Sequence, residues 1–80
     1  MEKIIRLKGN NNKVYFPTSI LSIEHIDNDR NGNIYSRIVF TDGSSLRVSD
    51  HIDDILYNLR KQGGDLVLEE YQYKIKGKVV

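Results

Sequence analysis

The dipeptide Asp42-Gly43 stands between two runs in which apolar and polar residues alternate, and a helical stripe follows at once. This succession, over residues 34–59, restricts the chain more than any other part of it. It reads as strand, tight turn, strand, helix. Alternation with period two marks a half-buried strand. Ile34, Ser36, Ile38 and Phe40 point one way, and Tyr35, Arg37 and Val39 the other. Asp-Gly is a strong hairpin signal. A two-residue loop would set Phe40 opposite Ser45 and Ile38 opposite Arg47. A three-residue loop, Thr41-Asp42-Gly43, sets Ile38 opposite Leu46 and Ser36 opposite Val48. It keeps the apolar residues on one face and gives Gly43 the left-handed position that such loops need. A slip of one residue would turn every side chain over, so the three-residue loop is expected.

The helix is expected over about residues 50–62. Ile52, Ile55, Leu56 and Leu59 sit at i, i+3, i+4 and i+7, one apolar stripe. Asp50 is the expected N-cap, with Asp53 at the third helical position. Asp53 and Asp54 complement the positive start, Arg60 and Lys61 the negative end, and Gly63-Gly64 stops the helix.

Upstream, residues 3–8 read as a first strand, 9–12 as a turn, 13–16 as a second strand ended by Pro17, and 20–26 as a third. In the third strand Leu21, Ile23 and His25 share one face, and Ile20, Glu24 and Ile26 the other. Residues 27–33 form a polar loop containing Asn31-Gly32, and residues 65–76 a long bent strand or strand pair. The expected fold is a single α+β domain over residues 1–80: a small, mostly antiparallel, twisted sheet of five to six strands with one amphipathic helix. Residues 64–80 are expected to form a C-terminal strand extension. A chain of 80 residues buries only about 60% of its unfolded surface, which leaves little room for a deep active site.

Twelve basic against 11 acidic residues give a net charge of +1, no general argument for nucleic acid or membrane. Cysteine is absent, so disulfide and thiol chemistry are excluded. Met1-Glu2-Lys3 runs straight into a short strand-like stretch. Neither a secretory leader nor a transmembrane helix is expected, and the expected location is cytoplasmic.

Asp27-x-Asp29-x-Asn31-Gly32-x-Ile34 follows the first two-thirds of an EF-hand calcium loop, with oxygen ligands at alternate positions and a glycine at the turn. The twelfth position, where a bidentate glutamate belongs, is Ile38, and the flanks read as strands. Asp27, Asp29 and Asn31 are therefore a weak candidate metal loop, and a plain turn is the preferred reading. His25 and His51 have no second His or Cys at ligand spacing and read as a strand and a first-turn helix residue. The serines lack a Gly-x-Ser-x-Gly elbow, and no phosphate loop or dinucleotide fingerprint occurs. No enzymatic activity and no cofactor are expected.

The middle sheet carries apolar residues on both faces: Leu21, Ile23, Ile38, Phe40, Leu46 and Val48 on one, Ile20, Ile26, Tyr35 and Val39 on the other. One helix covers one face, so the second needs other cover. The function this points to is a self-associating protein-interaction module, a dimer or larger ring that could also bind another protein. Its expected contact residues are Ile20, Ile26, Tyr35, Val39, Tyr71, Tyr73 and Ile75. The alternative is a nucleic-acid-binding accessory protein, with Lys74, Lys76 and Lys78 on phosphates and the tyrosines stacking on bases. Along a strand, however, the two sets face opposite ways.

Four stretches carry a family resemblance: residues 6–9 (Arg-Leu-Lys-Gly), 14–24 (Val-Tyr-Phe-Pro-Thr-Ser-Ile-Leu-Ser-Ile-Glu), 38–43 (Ile-Val-Phe-Thr-Asp-Gly) and 48–56. Over residues 2–61 their order and spacing resemble the small flagellar-accessory proteins of the FlbD/SwrD swarming-motility type. The strand-turn-helix part is also similar to a portion of LytTR-type DNA-binding domains, though the basic segment that should follow the helix is absent. The resemblance implies the strand-rich fold with an acidic-apolar helix and a motility-accessory role. The chain departs from the pattern in longer 10–12 and 27–33 segments. His51 stands where the family tends to have a helix-capping serine, and residues 64–80 have no counterpart. Small phage or mobile-element proteins of unknown function could share this pattern.

Overall fold

The computed structural model describes residues 3–61 and 63–72. In chain order the elements are β1 (Ile5–Leu7), β2 (Asn10–Tyr15), a 3-10 turn (Pro17–Ser19), β3 (Ile20–Ile26), β4 (Tyr35–Phe40), β5 (Ser45–Val48), α1 (Ile52–Arg60) and β6 (Leu66–Leu68). The class is the expected small α+β fold with one helix. The six strands form two three-stranded sheets, ordered β2-β1-β6 and β3-β4-β5, and β1 runs parallel to β6.

The central hairpin has the register derived above: Ile38 faces Leu46 and Ser36 faces Val48. Phe40 N–H donates to the Ser44 carbonyl at 2.9 Å and Gly43 N–H to the Phe40 carbonyl at 3.0 Å. Gly43, at φ 91°, closes the loop in the left-handed region. The Ser44 hydroxyl and backbone N–H, 2.6 and 2.9 Å from Asp42 Oδ1, hold that carboxyl below its ordinary value. This contribution is complete above the ordinary carboxylate pKa and is lost as pH falls through the lowered one.

Three expectations change. A bulge between Ile20 and Ser22 sets Ile20 opposite Phe40 and throws Leu21 out to 69% exposure. Ile20 therefore packs against the core together with Ile23, on the face expected for Leu21. One inserted residue reverses the sidedness of everything before it. Second, the asparagines expected in a turn begin β2. Leu7 pairs with Asn10 while Arg6 pairs with Val14, so the extra residues are absorbed as an irregularity in β2. Third, the helix cap is His51, not Asp50: His51 Nδ1 accepts from Asp53 N–H at 3.1 Å. Asp50 is engaged elsewhere, its carboxylate accepting from Glu69 N–H at 2.8 Å and its carbonyl from the Ser36 hydroxyl at 2.7 Å. His51→Ala is expected to cost about 1 kcal/mol in a urea titration and His51→Ser to recover most of it.

The two sheets and the helix share one core of Ile5, Leu7, Ile38, Phe40, Leu46, Val48, Ile55, Leu66 and Leu68. The expected C-terminal extension is thus partly interior, since Leu66 and Leu68 are buried. Beyond β6 the chain leaves the first sheet and stitches to the second. Ser49 N–H donates to Glu69 O at 2.9 Å, Tyr71 N–H to Arg47 O at 3.0 Å, and Val48 bridges Glu70.

Candidate functional site

The second sheet's outer face carries four of the expected contact residues: Ile26, Tyr35, Val39 and Tyr71. Alternation along β3, β4 and β5 puts Glu24, Arg37 and Arg47 in one cross-strand row, with Ile26 beside Tyr35 and Val39 beside Ser22 and Ser45. Ile26 and Val39 are half-buried. Arg37 Nη2 meets Glu24 Oε1 at 2.9 Å, while its Nε is buried with no hydrogen-bond partner among the described residues. Arg37 and Arg47 lie directly opposite each other, a like-charge pairing that costs stability. Arg47 holds its guanidinium 5.7 Å from the centre of the Tyr35 ring, a cation–π contact.

Tyr71 closes this end of the face. Its ring lies 5.2 Å from that of Tyr35, and its hydroxyl donates to Asn33 Oδ1 at 2.7 Å. Tyr35 and Asn33 are both buried as a result. Asn33 is tied in turn to Asp29, its backbone N–H and side-chain amide reaching Asp29 Oδ1 at 2.9 and 3.2 Å. Asn31 N–H donates to the same oxygen at 2.9 Å. Asp29 thus organises the 27–33 loop around its own carboxylate, and a bound cation would have to displace three donors from one oxygen. Millimolar calcium is expected to leave Tm unchanged. A rise that Asp29→Ala abolishes would show a calcium site, since a ligand of the folded state must stabilise it.

The fold places the other candidates as follows. Ile20 lies on the inner face, as described. Tyr35 and Tyr71 are brought together, with Ile26 and Val39 on the same outer face. Tyr73, Ile75, Lys74, Lys76 and Lys78 lie outside the described residues. His25 and His51, 26 positions apart, meet with ring centres 5.1 Å apart, a contact without a spacing signal. Among the described residues no group of three or more His, Cys, Asp or Glu side chains could hold a metal ion. No described helix is long and apolar enough to cross a membrane.

The surface hollows are open. One of about 450 Å³ runs along α1 between Leu56, Tyr57, Arg60 and Lys61. Another of about 220 Å³ lies beside the stacked Tyr15 and Phe40 rings, with Lys13 and Asp42 on its rim. In the second, the Ser44 hydroxyl lies 2.6 Å from Asp42 Oδ1, and no histidine is among the lining residues. Sequence reasoning missed Arg37, Arg47, Asn33 and the role of Asp29. Cross-strand partners of opposite or like charge could have been read from the derived hairpin register, which already set position 37 opposite position 47.

The chain matches no known family model, curated protein or solved structure.

Proposed function

We propose that the chain is a non-enzymatic protein-interaction module that self-associates as a dimer or larger ring, with the segment after β6 at the contact. The observation that carries this is the cover of the second sheet. Its inner face is filled by the first sheet and α1. Its outer face receives Tyr71 over Tyr35, a side chain delivered by a segment that joins the rest of the fold late in sequence, and Ile26 and Val39 stay half-buried. Of the four edge strands, β2 and β3 pair irregularly, which resists edge-to-edge pairing, and β5 is partly covered by the Val48–Glu70 bridge. Contact through a face or an exchanged segment fits these edges better than pairing through β2 or β3. A motility-accessory role is proposed on the quoted motifs alone, and a cytoplasmic location on the same reading.

Light scattering on the full chain at about 100 µM tests the proposal; affinities weaker than roughly −5.5 kcal/mol would escape it. A mass of two or more copies is expected, and a monomer mass overturns the reading. One observation favours the alternative of nucleic-acid binding. The Arg37–Arg47 pair beside the Tyr35 and Tyr71 rings combines cations with stacking surfaces. Titration with single-stranded DNA and RNA at two salt concentrations separates the two. Binding that weakens steeply with salt, and that loses slope when Lys74, Lys76 and Lys78 become alanine, would favour the alternative.

A further inference from the structure

Residues 65–71 fill a slot between β1 of one sheet and β5 of the other. Leu66 N–H donates to Ile4 O at 2.9 Å and Lys8 N–H to Leu68 O at 2.8 Å on the β1 side. Ser49 N–H, Arg47 O and the Asp50 carboxylate hold residues 69–71 on the β5 side. Leu66 and Leu68 enter the core, and Tyr71 lands on Tyr35 and Asn33. The hydrogen-bond and ring partners all lie between residues 4 and 50, and the core adds Ile55 of α1. The inserted segment reaches them only through α1 and a short turn in which Gly63 and Gly64 both take positive φ, 77° and 72°.

A segment whose partners all precede the glycine turn on which it hangs can make the same contacts in a neighbouring copy. The contacts are identical, so the balance is set by the turn and by the cost of association. Two successive residues held at positive φ are entropically costly even for glycine, and extending the turn releases them. Five extended residues span about 17 Å, enough to direct the segment away from its own slot.

We propose that two copies exchange residues 65–72, each inserting them between β1 and β5 of the other, so that the Tyr35–Tyr71 contact forms between chains. This rests on the self-association reading and names its mechanism.

The test uses the full chain, whose natural sequence has no cysteine. Arg6 and Val67 pair across β1 and β6 on the surface, so the double variant Arg6→Cys, Val67→Cys reports which chain supplies β6. After oxidation at about 100 µM, a denaturing gel without reductant is expected to show a covalent dimer that reductant dissolves. A native dimer whose disulfides lie within single chains overturns the exchange and leaves self-association standing. A native monomer overturns both. As a second measurement, Gly63→Ala with Gly64→Ala strains the closed turn and is expected to raise the dimer-to-monomer ratio about tenfold or more. An unchanged or lower ratio counts against the exchange.

Discussion

A chain lacking residues 65–80 is expected to lose its cooperative urea transition. The deletion removes β6, and with it Leu66 and Leu68 from the core. Burying a leucine side chain is worth about 1.5–3 kcal/mol, and the backbone bonds from β1, Ser49 and Tyr71 go as well. A domain of this size has about 4–12 kcal/mol in total. The two leucines alone therefore account for much of the margin, before the opened sides of β1 and β5 are counted. Circular dichroism that retains the native spectrum and a sigmoidal urea curve would show that β6 is dispensable. The same deletion is a poor probe of oligomer state, because unfolding would abolish association for any mechanism; the cysteine pair avoids this.

Ile55→Ala is expected to cost about 2–5 kcal/mol, the range for a large-to-small change at a fully enclosed site. Ile55 is 0% exposed and is the helix residue that enters the shared core. Leu56 is only half-buried and borders the open groove along α1, so Leu56→Ala should cost clearly less. Asn58→Ala should cost least. Its side chain donates to the Asp54 carbonyl within the same helix, whereas the Lys3 amine binds its backbone carbonyl, which alanine keeps. The order Ile55, Leu56, Asn58 in urea midpoints is the measurement. Equal losses at all three would mean that the helix is not packed on the sheets. The stripe alone ranks Ile55 and Leu56 together; the fold separates them because the helix meets the sheets along a line narrower than the stripe.

The two-faced character of the second sheet, from which self-association is argued, was legible in the alternation of β4 and β5. The identity of the residues on each face was less so. The β3 bulge moved Ile20 inward and Leu21 outward, and nothing in the run from 20 to 26 marks where an extra residue will be accommodated. The outer-face arginines were hidden for a different reason. Charged residues at alternate positions read as solvated, and their mutual position matters only once the register is applied to both strands.

What the sequence determined by itself is local and periodic. The three-residue Thr41-Asp42-Gly43 loop followed from the requirement that apolar partners share a face, and that pairing stands in the structure. The helix followed from the stripe ending at Gly63-Gly64, and the class from the number and type of elements. Tertiary structure alone decided which strands become neighbours across long stretches of chain. The parallel pairing of β1 with β6, the division into two sheets, the crossing of residues 69–71 to β5 and the meeting of His25 with His51 all belong here. A period-two pattern states that a strand has an inside and an outside, but it carries no label for its partner. The cap at His51 belongs to the same class. Asp50 has the better capping side chain, but residue 69, 19 positions away, takes its carboxylate. Such competition for a hydrogen-bonding group is settled only when remote backbone arrives beside it.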